Sequence, residues 1–352
     1  MGKEIRIQAS ELERFVKEVL RKASVREDVA AYVAEGLAQT SLRGVDSHGI
    51  RLLAHYLNGV KGGRINPSPN YKFKKTSQST GLLDADHTFG HAAGMEAVKR
   101  AVELARKAGS GHVAVYNSTH FGAAAYYSLE IAKHDMIGMS FTHADALMRS
   151  HGGKKPFLGT NPISFAAPCE GEEPFCLDMA TSMITFNKVK QLRQAKTLAP
   201  AGAGADASGV ETTDPNQITM LLPSGGYKGF GLSMMVEILC SMLTGMPYGP
   251  YLSKMFAAPI NEKRFLAHFI TAIRIDCFQD KKVFKNRLSM MMNEIRKGSA
   301  LDVNTPVQVA GDPEKKTALH RTRHGITLDD AEYASLKAAG KEYGIELERQ
   351  NV

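Results

Sequence analysis

Along the first 65 residues, apolar positions recur every three to four residues, which is the spacing of one helix face. A first helix is predicted to begin near Ser10, where Ser-Glu-Leu-Glu has the form of a capping box. A second helix is predicted over residues 27–42, and a third passes through Tyr56 and ends at Gly62. The amino-terminal segment is therefore expected to be a helical unit.

After Pro67 the pattern changes to short apolar runs mixed with helical segments. Several predicted strands follow one another without a helix between them, which differs from a regular βαβ alternation. The predicted strands are 80–84, 112–116, 136–141, 163–167, 175–178 and 265–275. The predicted helices are 92–108, 123–133, 284–296 and 327–347, the last with Asp329 and Asp330 at its start. A mixed α/β protein is expected.

Two further segments stand apart from this pattern. Residues 190–218 are rich in Ala, Gly, Thr and Asp, which predicts a surface excursion with little regular structure. Residues 229–243 are almost wholly apolar, with Glu237 as their only charged residue. This second segment is predicted to be a helix that is buried on all sides.

Composition narrows the class of protein. The chain has 352 residues, of which 43% are hydrophobic and 23% charged, so it is neither a disordered chain nor a disulfide-stapled miniprotein. A net charge of +8 favours anionic partners. The basic residues occur as short pairs without interleaved aromatics, so no nucleic-acid partner is predicted.

The cysteine pattern and the hydropathy of the chain indicate whether a metal, a membrane or an oxidising compartment is to be expected. The four cysteines have neither a Cys-x-x-Cys pair nor zinc spacing, and no His/Asp/Glu cluster has metal-ligand spacing, so no metal is predicted. No apolar run approaches the roughly 20 residues that span a bilayer, so no membrane contact is predicted. The chain starts without an apolar signal core. A cytoplasmic location is expected.

Glycine-rich segments are the first candidates for a nucleotide site. Residues 202–207 match the dinucleotide fingerprint formally, but no strand precedes them. Residues 225–231 stand directly before the apolar helix and include Lys228. Their backbone amides, the helix terminus and the ammonium group suit a phosphate. The alternative is a tight turn required by packing, with Lys228 in solvent.

Two histidines are candidates for proton transfer. His48 lies between Ser47 and Gly49, and His120 directly follows a predicted strand. An imidazole exchanges protons near neutral pH, as the interconversion of an alcohol and a carbonyl requires. Arg51 is a candidate for holding a carboxylate, and Asp145 for orienting an imidazole. The alternative for each histidine is a structural position in a loop.

Taken in order, six segments resemble the malate/L-lactate dehydrogenase family, which is unrelated to the Rossmann-type lactate and malate dehydrogenases. They are Arg-Gly-Val-Asp-Ser-His-Gly at 43–49, Asn-Ser-Thr-His-Phe-Gly at 117–122, Gly-Thr-Asn-Pro at 159–162, Asp-Met-Ala-Thr-Ser at 178–182, Thr-Thr-Asp-Pro at 212–215 and Gly-Gly-Tyr-Lys-Gly-Phe-Gly at 225–231. Each motif is ordinary alone, and the six in this order make the resemblance specific.

The resemblance implies a family-specific, non-Rossmann NAD(P)-binding fold with a largely antiparallel sheet. We predict a helical domain of residues 1–72 with 297–352, and an NAD(P)-binding α/β domain of residues 73–296. The implied partners are NAD or NADP and a small anionic 2-hydroxy or 2-oxo acid. A homodimer with its active site near the subunit interface is also implied.

The resemblance also implies functions for individual residues. His48 or His120 would transfer the proton, with Asp145 as a third catalytic residue. Ser47, Arg51 and Tyr56 would bind the substrate. The residues implied to contact the cofactor are Thr160, Asn161, Pro162, Asp178, Met179, Ala180, Lys228, Gly311 and Asp312.

Three features depart from the family pattern. Leu52 stands where the family often carries Arg, Ala310 replaces a Pro before Gly311, and residues 183–205 are unusual.

The predicted function is hydride transfer between nicotinamide and C2 of the acid. The alternatives are a reductase of cyclic imine carboxylates and a non-catalytic binding protein on the same scaffold.

Overall fold

The computed structural model describes residues 5–302 and 304–349. Residues 1–4, 303 and 350–352, which the predicted helical domain includes, lie outside the described residues. The helices are α1 (Ala9–Lys22), α2 (Glu27–Leu42), α3 (Leu53–Lys61), α4 (Gly90–Ala108), α5 (Ala125–Ala132), α6 (Phe186–Ala195), α7 (Tyr227–Glu237), α8 (Lys281–Arg296), α9 (Asp312–His324) and α10 (Asp330–Tyr343). The strands are β1 (Ile5–Ile7), β2 (Lys72–Lys75), β3 (Thr80–Asp84), β4 (Ser110–Ser118), β5 (Met136–Thr142), β6 (Met148–Arg149), β7 (Pro156–Leu158), β8 (Ile163–Ala167), β9 (Phe175–Met179), β10 (Gly204–Ala205), β11 (Glu211–Thr212), β12 (Met220–Leu221), β13 (Leu266–Arg274) and β14 (Ile326–Leu328).

A seven-stranded sheet forms the centre of the molecule, in the order β2-β3-β4-β13-β5-β8-β9. Every neighbouring pair is antiparallel except β3 and β4. This confirms the expected mixed α/β fold with a largely antiparallel sheet. Because β13 runs against both neighbours, its start lies beside the carboxyl ends of β4 and β5. Residues just before β13 therefore meet residues just after β4 and β5 at one edge of the sheet.

Two large apolar clusters hold the chain together. One contains residues of α4 and α5 packed against β3, β4 and β13. The approach of α4 to β4 is close, since a Cβ on Gly111 would lie 2.0 Å from the carbonyl oxygen of Ala101. The other unites α1, α2 and α3 with β14 and α10. The two ends of the chain thus share a core, and the domain division stays a prediction.

The segment 190–218 has more regular structure than its composition predicts. It includes most of α6 together with β10 and β11, which join β12, β6 and β7 in a second sheet of order β11-β10-β12-β6-β7. Val189, Ala203 and Leu221 form a small core beneath these short elements. Most of the segment lies outside helices and strands, as predicted, and the unpredicted part is α6 and the strands of two residues, which a few spaced apolar residues are sufficient to anchor.

Helix α7 is half exposed, so the prediction of burial on all sides was wrong for the single chain. It continues into a π-helical turn, Ile238–Met242. Gly229, Ser233, Val236 and Glu237 face the protein. The exposed apolar side chains along the helix and the turn are Leu232, Met234, Met235, Ile238, Met242 and Leu243. An all-apolar sequence indicates that a helix is buried, but it does not indicate whether the same chain or another molecule packs against it.

Helix boundaries were predicted unevenly. The capping box at Ser10 was wrong, because α1 begins at Ala9 and Gln8 precedes it without a side-chain cap. A capping box does form at the start of α10 between Asp329 and Glu332. Before α3 the chain makes two 3-10 turns, Asp46–His48 and Ile50–Leu52.

None of the helices in the described ranges is long and apolar enough to cross a membrane.

Candidate active site

A cavity of about 1190 Å³ opens at the edge of the large sheet where β4 and β5 end and β13 begins. Typical small-molecule sites measure about 300–1,000 Å³, so this one has room for an extended ligand or for two ligands together. Of the predicted site residues, those that line it are Ser47, His48, Arg51, His120, Asp145, Thr160, Pro162, Asp178, Met179, Ala180 and Gly311.

The two candidate histidines stack against each other in this cavity. The ring centroids of His48 and His120 are 5.5 Å apart. The Nδ1 atom of His120 is 2.8 Å from the hydroxyl of the fully buried Tyr56, and Nδ1 of His48 is 2.8 Å from the hydroxyl of Ser47. Each ring therefore has one nitrogen held by a hydroxyl, and its Nε2 is left as the atom for a ligand.

The surroundings favour neutral imidazoles. Enclosure by protein lowers the pKa of His48, and it lowers the pKa of His120 strongly, with a further decrease from neighbouring positive groups such as Arg264. Burial raises the pKa of Tyr56, so its hydroxyl keeps its proton. A neutral His120 is in the state that accepts a proton from an alcohol.

Asp145 holds a buried arginine, not an imidazole. Its Oδ1 accepts a hydrogen bond from Nη2 of Arg264, and its Oδ2 accepts one from the backbone N–H of Met255 at 2.7 Å. Arg264 is 3% exposed and lines the cavity. Its Nε and Nη1 are buried without a hydrogen-bond partner in the described part of the chain. Unpaired guanidinium donors beside a cavity suit an anionic ligand.

Sequence reasoning missed Arg264. The available signal was its position, because a charged residue directly before a buried strand belongs to the same sheet edge as His120 and Asp145. That relation depends on β13 lying between β4 and β5. The predicted carboxylate-binding residue, Arg51, is 41% exposed at its side chain, and its Nε is 3.9 Å from Glu332.

A second buried arginine shapes the loop beside the site. The guanidinium of Arg64 donates to four backbone carbonyls, those of Met255, Ala258, Pro259 and Glu262. The same loop supplies Lys254 and Phe256 to the cavity wall. Arg64 therefore fixes the path of a wall segment by hydrogen bonds alone, and all of them go to the main chain.

Several residues predicted to bind a cofactor line the cavity. The Oδ2 atom of Asp178 accepts from the backbone N–H of Ala125 at 2.8 Å. Enclosure raises the pKa of this carboxyl, although part of its surface stays open to the cavity. The neighbouring wall at Gly311 has φ +94°, and a Cβ there would lie 2.9 Å from the Cys176 carbonyl oxygen. Glycine at this position lets the backbone itself form the surface.

This wall suits a large anionic cofactor. Arg43 lines the cavity near Asp178, and its Nη2 is a buried donor without a partner within residues 5–302 and 304–349. An unpaired cationic donor, a carboxylate and an exposed main chain together match the phosphate, ribose and amide groups of a dinucleotide. The residues present fit NAD or NADP.

Three predicted cofactor residues are absent from the cavity wall. Asn161 is completely buried, and its side chain bonds to Ala144, Ser233 and Glu237. Asp312 pairs with Arg296 at 2.7 Å. Lys228 is exposed at the start of α7. The structure thus does not bring these three side chains to the histidine pair within one chain, and their cofactor contacts stay predictions.

Comparisons with known proteins find relatives that match nearly the whole chain. A family profile described as malate/L-lactate dehydrogenase matches residues 7–337. The malate dehydrogenase of Pyrococcus abyssi is 37% identical, over 97% of this chain and 96% of its own. A malate dehydrogenase structure from Entamoeba histolytica has a TM-score of 0.92 at 29% identity, covering 98% of this chain and 99% of that chain. The sulfolactate dehydrogenase from Methanocaldococcus jannaschii has a TM-score of 0.91 at 32% identity, covering 97% and 98%.

Proposed function

The chain belongs to the malate/L-lactate dehydrogenase family, and from this premise we propose that it transfers hydride between NAD or NADP and C2 of a small 2-hydroxy or 2-oxo acid. One observation carries the proposal. The cavity is lined by His120, a neutral imidazole that the Tyr56 hydroxyl holds, and by Arg264, a guanidinium with unpaired donors. These are the groups that a hydroxy acid requires at its hydroxyl and its carboxylate.

The residues divide the work between binding and proton transfer. Arg264 holds the carboxylate of the acid through one of its unpaired donors, Nε or Nη1, and Asp145 holds Arg264 in place. Nε2 of His120 takes the hydroxyl proton during oxidation, while the Tyr56 hydroxyl holds Nδ1. The nicotinamide, when bound, supplies the acceptor or donor of the hydride at C2. In reduction, His120 returns the proton to the oxygen that becomes the hydroxyl.

A paired binding and turnover screen tests this function. We expect NADH or NADPH to bind at micromolar to millimolar concentration, and we expect turnover with malate, lactate, ureidoglycolate or sulfolactate and the matching oxidised cofactor. Fluorescence titration measures binding, and absorbance at the reduced-nicotinamide band measures turnover. If neither cofactor binds, the proposal is wrong.

The same screen separates the alternatives. Turnover restricted to cyclic imine carboxylates would assign the chain as a ketimine reductase, because the same carboxylate site would then present a C=N bond to the hydride. Cofactor binding without turnover across both panels would assign a non-catalytic binding protein. Turnover of a 2-oxo acid would exclude the non-catalytic binding protein.

A homodimer is part of the proposal. The exposed face of α7 and the π-helical turn, formed by Leu232, Met234, Met235, Ile238, Met242 and Leu243, is called here the α7 face. Its members are 38–54% exposed although the segment is almost wholly apolar. Full burial of such a side chain contributes about 1.5–3 kcal/mol, so covering the exposed half of each one contributes about half of that, which makes a second copy of the chain a suitable cover.

We expect Ile238→Glu to convert a dimer into a monomer at micromolar concentration. A carboxylate in the middle of the α7 face must lose its hydration when a second copy packs there, without a cation supplied to it. Sedimentation velocity measures the mass. Val210→Glu, at a site 63% exposed in the turn between β10 and β11, is the matched control and should leave the mass unchanged. A wild-type monomer, or a dimeric Ile238→Glu variant, would contradict the proposal.

A cytoplasmic location is also proposed. The four cysteines Cys169, Cys176, Cys240 and Cys277 are all free. Burial raises the pKa of Cys176, which keeps that thiol protonated and unreactive. Four free thiols support a reducing compartment.

A further inference from the structure

Directly behind the cavity lies a buried carboxylate that takes no part in the reaction described above. Glu237 is the last residue of α7 and is 4% exposed. In the described ranges, its ion-pair contacts consist of one histidine, His143. A buried carboxylate without a Lys or Arg partner is stable only when several donors satisfy it.

Three donors from three separate segments converge on this carboxylate. Its Oε1 accepts from the backbone N–H of Gly249 at 2.9 Å and from Nδ1 of His143 at 3.3 Å. Its Oε2 accepts from Nδ2 of Asn161 at 2.7 Å. Burial tends to raise the pKa of Glu237, and these bonds outweigh it, so the pKa lies below its usual value. The group is therefore an anion at neutral pH.

The hydrogen bonds also determine the tautomer of His143. Its Nε2 accepts from the backbone N–H of Ala267 at 2.9 Å, so that nitrogen carries a lone pair. The ring proton must then be on Nδ1, which faces Glu237. Ala267 belongs to β13, next to Arg264, so this ring also ties the start of β13 to the end of β5.

Both residues that precede Asp145 are tied to Glu237. His143 bonds to it directly, and the backbone N–H of Ala144 donates to Oδ1 of Asn161 at 3.0 Å. Asn161 in turn donates to Glu237. We propose that Glu237 is a positioning residue, which uses its charge to hold residues 143–145 and thereby the Asp145–Arg264 pair that binds the acid.

The charge is required, not only the shape. In a Glu237→Gln variant the new amide N–H₂ replaces one carboxylate oxygen and faces a donor in either orientation. Placed at Oε2 it faces Nδ2 of Asn161, whose Oδ1 is already used by Ala144. Placed at Oε1 it faces the N–H of Gly249 and the ring N–H of His143. Two opposed donors push the segment 143–145 away from its place.

We expect Glu237→Gln to raise the KM for the acid about 10- to 100-fold, which corresponds to leaving one buried donor unpaired. The dissociation constant of the reduced cofactor should change less than about threefold, since the variant acts through Asp145. Ser241→Ala is the matched control. Ser241 is buried one turn further along the same helix and bonds to the carbonyls of Met246 and Pro247. Its loss should lower thermal stability without changing the acid KM.

Asn161→Ala supplies a second variant if the first does not fold. It removes the link from Glu237 to Ala144 and leaves the other two donors in place. We expect a rise of about threefold or more in the acid KM with little change in cofactor binding. The opposite result, weaker cofactor binding with an unchanged acid KM, would return Asn161 to the cofactor site and overturn the proposal. So would a folded Glu237→Gln variant with a wild-type acid KM.

A measurement on the wild-type protein completes the test. The proposal rests on the proposed function for its kinetic part, whereas nitrogen NMR of histidine-labelled protein requires no turnover. We expect the His143 ring, assigned through a His143 variant, to carry its proton on Nδ1 at neutral pH. A proton on Nε2 would overturn the network even in an active enzyme, and an inactive wild type with the expected signal would refute only the enzymatic function.

Discussion

Replacement of His120 by alanine is expected to lower kcat for the hydroxy acid by about 100-fold or more, the usual cost of losing a general acid–base group. His120 is preferred over His48 as the proton-transfer residue because its Nδ1 is held by a completely buried tyrosine. Steady-state rates with saturating cofactor measure the effect. Cofactor affinity should be preserved, since the substitution removes a base and leaves the wall at Asp178 intact.

Two companion variants make the result specific. Tyr56→Phe removes only the hydroxyl on Nδ1 and should lower kcat about 10-fold, the scale of one hydrogen bond. His48→Ala should also cost about 10-fold, because its ring packs on His120 at 5.5 Å. A near-normal rate in His120→Ala together with a 100-fold loss in His48→Ala would move the proton transfer to His48.

Replacement of Arg264 by lysine is expected to raise the KM for the acid about 100-fold or more. Lysine keeps the positive charge but loses the planar fork that can hold Asp145 and a substrate carboxylate at the same time. Breaking a buried, hydrogen-bonded charge pair costs about 2–5 kcal/mol, which is a factor of about 30 to several thousand. Initial rates over a range of acid concentrations give the KM.

Arg149→Lys is the matched control for this variant. Arg149 is also mostly buried, but it donates to the backbone carbonyl of Gly209 in the turn between β10 and β11, away from the acid-binding cluster. It should change the acid KM less than about twofold. If Arg264→Lys leaves the acid KM unchanged and weakens cofactor binding, then the arginine serves the cofactor and the carboxylate is held elsewhere.

The elements that were predicted well are those whose signals are local. Helix α2 occupies residues 27–42 as its periodicity predicts, and β8 pairs with β9 across the turn that joins them. The cap of α10 is Asp329, as its residue type predicts, although the predicted helix began at residue 327 and the strand β14 occupies Ile326–Leu328. In each case the contacts named here join residues at most 16 positions apart, so the local spacing of residue types contains the information.

The features that were not predicted depend on contacts between segments far apart in the sequence. The apolar sequence of α7 indicates that its surface must be buried. Which segment or molecule packs against that surface depends on the folded chain and its neighbours. The strands β10 and β11 are two residues long and exist only because they pair with each other and with β12. Residue types alone predict neither outcome, because the stabilising contacts are made between distant segments.

For this protein, residue order alone was enough for the mixed α/β class, the two histidines, and membership of a dehydrogenase family through six short motifs. Folding decided which side chains share the site. Tyr56 meets a ring 64 positions away, and Asp145 meets Arg264 across 119 positions. It also placed Asn161 on the buried Glu237, away from the cavity wall. Local periodicity predicts which side of its own helix or strand a residue occupies, whereas these pairs join distant segments, and the Asp145–Arg264 pair arises only when β13 inserts between β4 and β5.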